Sequence, residues 1–245
     1  MVVDAGELSL RVAEAVAATI DRAVRMAGKC SLVLSGGSTP RTLYSLLASR
    51  FREQIPWASV QVFWGDERYV PAEDSRSNYR MARELLLDRV PCPVTNIHPI
   101  PTHFSSVDDA ARDYERTLRG DAMDDGPAFD LVLLGLGEDC HTASLFPGSL
   151  ALFETTRWVV PALAPEDPKS RLTLTLPALA RASAIYFIVA GAGKSEALQR
   201  VLAGTVDTLV CPAAGVRSEH GTVTWWVDRE AARTSVGEDG NRGES

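Results

Sequence analysis

Four histidines occur in the 245 residues, and one of them, His141, stands in a setting the others lack. It follows the glycine-rich run Gly135-Leu136-Gly137 and the acids Glu138 and Asp139, at the end of a strongly apolar segment. An imidazole, with an ordinary pKa of about 6.5, is the natural proton shuttle near neutrality, and Asp139 stands where it would orient the ring or stabilise its cation. A second group, Asp66 and Arg68 in Gly65-Asp66-Glu67-Arg68-Tyr69-Val70, suits sugar hydroxyls and an anion. A third, Ser35-Gly36-Gly37-Ser38-Thr39-Pro40, suits a phosphate. Gly36 and Gly37 let the backbone approach a ligand, Ser38 and Thr39 offer hydroxyls, and the helix start that follows presents free N–H groups. The Lys-Ser/Thr pair of a Walker loop is missing. Two isolated cations, Arg171 and Lys194, adjoin apolar segments from which they would reach a phosphate. Taken singly, each of these stretches also fits a plain reading: a glycine turn with a helix cap, a solvated charged turn, a surface histidine, or snorkelling cations. His98, His103 and His220 read as structural.

The elements that must position these residues alternate along the chain. Short apolar runs at Ser31–Leu34, Val60–Trp64, Phe129–Leu134, Ala184–Ala190 and Val223–Val227 read as buried strands, apolar on successive residues because helices cover both sheet faces. From Leu8 to Ala27, apolar residues recur every fourth position, an amphipathic helix that Gly28 is placed to end. Further helices are expected over Pro40–Ala48 with Thr39 as N-cap, Asn78–Val90 capped by Ser77, Ser106–Leu118 with Asp108 and Asp109 in its first turn, and Ser195–Leu202. Alternating strands and helices predict an α/β, Rossmann-like, doubly wound and mostly parallel sheet with helices on both faces. Such a sheet binds ligands at the carboxyl ends of its strands, where the candidate loops fall. No linker interrupts the pattern, so residues 1–233 are expected to form one domain, with 234–245 a polar, flexible tail.

Composition narrows the class of function. A hydrophobic content of 45% supports a sizeable core. No apolar run reaches the roughly 18 residues of a membrane span, and charges break the first apolar stretch, which argues against a signal peptide. The formal charge of −7 disfavours nucleic-acid or membrane-surface partners. Cys30, Cys92, Cys140 and Cys211 are widely spaced without a CxxC pair, which argues against a zinc ribbon or a disulfide framework and for reduced thiols in a cytoplasmic protein. An anionic ligand carrying about −1.5 to −2 charges as a phosphate ester would need local cations to overcome the overall field. No long apolar stripe stands out, so a monomer is expected.

Read in order, SGGSTP, FWGDERYVPAEDSRSNYRMA, NIHPIP, LLGLGEDCHTASLFPG, RLTLTLPAL and GAGKSEAL resemble the 6-phosphogluconolactonases over roughly residues 30–230. That group belongs with the glucosamine-6-phosphate deaminases and isomerases and shares their Rossmann-like sheet. The resemblance implies hydrolysis of 6-phospho-D-glucono-1,5-lactone to 6-phosphogluconate in the oxidative pentose phosphate pathway, with a small sugar phosphate as partner. No metal or redox cofactor is expected, because a lactone is already an activated ester. By matched residue it implies a phosphate cradle of Gly36, Gly37, Ser38, Thr39, Arg171 and Lys194. It makes His141 the catalytic histidine and Asp66 the counterpart of the isomerases' proton-moving acid, with Arg68 characteristic of the lactonases. The deaminases carry an acid five residues past the matched histidine; here Phe146 stands there, which favours the lactonase branch over a deaminase. A noncatalytic sugar-phosphate sensor is a further alternative, because Cys140 replaces the family's usual glycine before the histidine. If that position is left-handed, a β-carbon there costs about 1–2 kcal/mol.

Overall fold

In a computed structural model, which describes residues 1–120 and 127–233, six strands form a wholly parallel sheet. They are β1 (Val2–Val3), β2 (Cys30–Leu34), β3 (Val60–Trp64), β5 (Leu131–Gly135), β8 (Ala184–Val189) and β9 (Thr222–Asp228), in the spatial order β1-β9-β8-β5-β2-β3. All five expected strands lie in this sheet; the two-residue β1, too short for a periodicity signal, adds its edge. The stretch 234–245, read as a flexible tail, lies outside the described residues.

Helices α1 (Ala5–Ala27) and α2 (Thr39–Ser49) pack on one another. From β2 the chain runs through α2 to β3, towards one edge. From β5 it runs through β8 and α6 (Ser195–Leu202) to β9, towards the other. Parallel crossovers are right-handed, so the two directions put α2 and α6 on opposite faces. The direction reverses between the neighbouring strands β2 and β5, and a crevice opens there, outside their carboxyl ends.

Most helix ends follow from local chemistry. Gly28 ends α1 in a left-handed conformation, φ 76°, its N–H donating to the Val24 carbonyl. Ser77 caps α3 (Asn78–Leu85) by accepting the Arg80 N–H, and Ser106 caps α4 (Val107–Arg119) by accepting from Asp109. Helix α3 stops short of the expected Val90 and gives way to a 3-10 turn at Leu87–Arg89. The cap of α2 is Ser38 rather than Thr39, and its hydroxyl makes no capping hydrogen bond. The short α5 (Leu176–Ala180) was not evident from periodicity, since five residues hold little more than one turn.

A second, three-stranded antiparallel sheet, in the order β4-β7-β6, sits beside the first. Its members are β4 (Asp66–Arg68), β6 (Val159–Leu163) and β7 (Ser170–Leu174). The stretch read from sequence as a charged loop is therefore a strand paired to residues about a hundred positions away. One contiguous buried cluster runs from Leu8 to Ala231.

Candidate active site

The crevice between β2 and β5 has two adjoining lobes. Gly36, Gly37, Ser38 and Thr39 line the first, and Asp139 and Arg171 the second, while Asp66, Arg68, His141 and Lys194 border both. The residues read from sequence as catalytic or phosphate-binding thus border one crevice.

Where β2 ends, the buried Tyr44 of α2 takes over from the sheet ladder. Its hydroxyl accepts the Ser35 N–H at 3.0 Å and donates to the Ser35 carbonyl at 2.7 Å. The chain then turns through Gly36, where a β-carbon would lie 2.0 Å from the Asn78 side chain, and through Gly37 at φ 97°. Both positions therefore require glycine. In the first turn of α2 Pro40 carries no N–H and the Arg41 N–H donates to the Ser38 carbonyl at 3.3 Å, so the Thr39 N–H at the uncapped helix start is the one turned to an anion.

Strand β4 alternates in the manner of any strand. Glu67 points inward, 2% exposed, and accepts hydrogen bonds from the backbone N–H groups of Arg68, Asn78 and Tyr79 and from the Ser77 hydroxyl. Burial pushes its carboxyl above the ordinary range, only partly offset by those N–H groups. Asp66 and Arg68 point the other way, into the cleft. The Ser144 hydroxyl donates to the Asp66 carboxylate at 2.6 Å, and the Asn78 amide holds the Asp66 carbonyl at 3.0 Å.

Arg68 lies directly opposite Arg171 in the β4–β7 register, so two guanidinium groups share one sheet face. Arg68 is steadied by the Arg76 carbonyl at 2.6 Å. Arg171 is 8% exposed, and its Nε has no hydrogen-bond partner within the protein. Burial and then the neighbouring Arg68 charge lower its pKa. Like charges placed opposite one another are unfavourable, and a bound dianion would offset that repulsion by attracting both. Lys194 reaches the same cleft from the turn before α6, its Nζ 3.7 Å from Glu138 Oε1.

His141 follows β5 in a tight loop. Its Nδ1 is 2.5 Å from Asp139 Oδ1, and its backbone N–H donates to the same oxygen at 3.1 Å. Burial acts to raise the Asp139 carboxyl, but the hydrogen bonds from His141 outweigh it and hold the group below its ordinary value. A carboxylate on Nδ1 selects the tautomer that leaves Nε2 free to accept a proton. The pair packs over Gly137, where a β-carbon would be 2.1 Å from His141 Nδ1 and 2.5 Å from Asp139 Oδ1. The Phe146 ring lies against the imidazole, with centroids 4.7 Å apart.

Cys140 adopts φ 70°, so the position is left-handed and the β-carbon there is strained, and Ala143 adopts φ 48°. The Cys140 side chain turns into the core, fully buried, its thiol 3.6 Å from the Ala197 carbonyl. Burial, and then the adjacent Cys211, push the thiol up to about 12. It lines neither lobe of the cleft, which speaks against a thiol–imidazole nucleophilic pair.

Sequence reasoning did not single out Tyr44, Ser144 or Thr173. The Thr173 hydroxyl accepts the Ser144 N–H at 3.1 Å and so fixes the residue that holds Asp66. Asn78 carried a signal, as the polar residue opening a helix just after Ser77. No trio of His, Cys, Asp or Glu side chains arranged to hold a metal occurs among the described residues.

The fold and the site together define a Rossmann-like α/β protein whose cleft sets a histidine–aspartate pair beside a cluster of cations. A model of the family described as glucosamine-6-phosphate isomerases/6-phosphogluconolactonase matches residues 3–225. The chain is 42% identical over 215 residues to 6-phosphogluconolactonase of Synechocystis sp., covering 86% of this chain and 87% of that protein. It is 40% identical over 220 residues to 6-phosphogluconolactonase of Mycobacterium tuberculosis, covering 87% and 88%. The solved structure of 6-phosphogluconolactonase from Trypanosoma brucei matches with a TM-score of 0.83 at 32% identity, covering 95% of this chain and 96% of that one. A monomeric glucosamine-6-phosphate deaminase shares the fold, with a TM-score of 0.79 at 23% identity over 95% of this chain and 98% of that one. The chain belongs to the glucosamine-6-phosphate isomerase/6-phosphogluconolactonase family, as the sequence motifs implied.

Proposed function

We propose that the chain hydrolyses 6-phospho-D-glucono-1,5-lactone to 6-phosphogluconate, with His141 as general base and then general acid. The observation that carries this reading is the His141–Asp139 pair, 2.5 Å apart, on a cleft that it shares with Arg68, Lys194 and the Ser38–Thr39 helix start. His141 Nε2 takes a proton from water as the water attacks the lactone carbonyl. It returns that proton to the ring oxygen as the tetrahedral intermediate collapses. Asp139 stabilises the imidazolium between the two transfers. Arg68 faces the developing oxyanion. Arg171, Lys194 and the Gly36–Thr39 loop at the start of α2 grip the phosphate and so fix where the carbonyl sits. Asp66, held by Ser144 and Asn78, orients sugar hydroxyls.

Phe146 supports lactone over amine chemistry, since an apolar ring rests on the imidazole where the deaminase branch uses an acid. The chain acts as a monomer and as a single domain in this reading, and light scattering would check the assembly. The four free cysteines fit the cytoplasm. Among the described residues no helix is long and apolar enough to cross a membrane.

The test is a coupled assay that generates the lactone in situ, with the spontaneous opening rate subtracted. Acceleration well above that background, with no ammonia released from glucosamine 6-phosphate, is the expected result. Tight binding of 6-phosphogluconate without acceleration would select a sensor instead.

A further inference from the structure

The turn that carries Lys194 is fastened at both ends by residues 228–233, at and just beyond the end of β9. Strands β8 and β9 pair as far as Val189 and Val227, and beyond that register they part. The Gly191 N–H would be left without a partner where the ladder stops, but Asp228, the last residue of β9, accepts it through Oδ2 at 2.9 Å. The other carboxylate oxygen accepts the Ala231 N–H at 2.7 Å, and the Ala232 N–H donates to the Asp228 carbonyl at 3.0 Å, which closes a turn. That turn delivers the Arg233 carbonyl to the start of α6, where the Ser195 hydroxyl and the Gln199 amide both donate to it. Gly191 itself adopts φ 92°, and Lys194 N donates to the Gly191 carbonyl at 3.0 Å. Asp228 is 3% exposed and lines neither lobe of the cleft.

We propose that Asp228 is a positioning residue for anion binding: by holding Gly191 and the 228–231 turn, it sets where the Lys194 ammonium meets the substrate phosphate. The inference rests on the proposed role of Lys194. A carboxylate is needed because both of its oxygens accept backbone N–H groups. The isosteric amide would turn an NH₂ group towards one of those donors and leave it unpaired in a buried place.

The experiment compares Asp228→Asn, Lys194→Ala and the double variant, reading kcat and KM for the phosphorylated and the unphosphorylated lactone, and inorganic phosphate as a competitive inhibitor. Asp228→Asn is expected to raise KM for the phosphorylated lactone and Ki for phosphate by roughly tenfold while kcat stays within about twofold, the pattern of lost uniform binding. The unphosphorylated lactone should be unaffected. In the Lys194→Ala background the same change should have an effect of less than about twofold, because residues acting through one group are not additive. Gly191→Ala provides a second probe. Its β-carbon would meet nothing within 4 Å, so only the φ 92° backbone is strained, and KM should rise in the same selective way. A loss of thermal stability in Asp228→Asn or Gly191→Ala with KM and phosphate inhibition unchanged would reduce Asp228 to a structural residue and overturn the proposal. If Lys194→Ala alone leaves phosphate inhibition intact, the assignment of Lys194 fails first, and the positioning role falls with it.

Discussion

The residue before His141 holds a left-handed backbone, φ 70°, despite carrying a β-carbon. The strain costs about 1–2 kcal/mol. Cys140→Gly removes it but adds chain entropy of about 0.5–1 kcal/mol to the unfolded state and gives up burial worth about 1 kcal/mol. These terms nearly cancel, so denaturant unfolding should find the variant within about 1 kcal/mol of the parent. Cys140→Ala keeps the strain and loses the thiol contacts, and it should be the less stable of the two. Both should retain turnover, because the thiol faces the Ala197 carbonyl rather than the cleft; loss of activity in both would return the thiol to the chemistry. Gly137 is the opposite case, a glycine required by contact. Gly137→Ala places a methyl group 2.1 Å from His141 Nδ1. A displacement of about 1 Å in a reacting group costs on the order of a hundredfold, so kcat should fall that far with little change in KM. Steady-state kinetics showing normal kcat would mean that the histidine–aspartate geometry is not needed for turnover.

At the scale of elements, two buried tyrosines terminate neighbouring strands in the same way. Tyr44 satisfies the N–H and carbonyl of Ser35 beyond β2, and Tyr114 does the same for Trp64 at the end of β3. Each lets a strand stop and a functional loop begin without buried unpaired backbone. Tyr44→Phe leaves both Ser35 groups unpaired, at about 1–3 kcal/mol, which chemical denaturation would detect. The released loop should also raise KM for the phosphorylated lactone, and an unchanged KM would separate the loop from phosphate binding. The parallel strands were legible in the sequence because burial on both faces makes them continuous apolar runs. Strand β4 was not. Asp66, Glu67 and Arg68 read as a solvated turn, since nothing local shows that Glu67 will be buried under four hydrogen bonds or that Arg68 will find Arg171 across a ladder. Its pairing is a tertiary fact, and three residues are too few for a periodicity. The tyrosines were hidden for a related reason: a helical tyrosine on an apolar face looks like core, and its hydroxyl has meaning only once the strand end lies beside it.

Across the whole molecule, the reversal of winding between β2 and β5 brings together loops that lie far apart in sequence. A chain with a net charge of −7 nonetheless brings Arg68, Arg171 and Lys194 to one crevice that Asp66, Glu138, Asp139 and Glu166 also line, so an anion is held by direct contact with those cations and not by an overall attractive field. Arg171→Ala and Lys194→Ala should each raise KM by about 10–100-fold for the phosphorylated lactone, the equivalent of one charge-assisted contact. Both should change KM little for the unphosphorylated one; equal effects on the two substrates would place these cations outside the phosphate site. The membership of that crevice was legible before any fold was known, because motif identity and the carboxyl-end rule act at this same scale. The contacts that hold its members in place were not. The most direct measurement of the account pairs turnover with binding in His141→Ala. General acid–base catalysis contributes about 10²–10⁴-fold, so kcat above the spontaneous background should fall by at least about a hundredfold while 6-phosphogluconate still binds with close to its original affinity. Near-normal turnover in that variant would contradict the account at its centre.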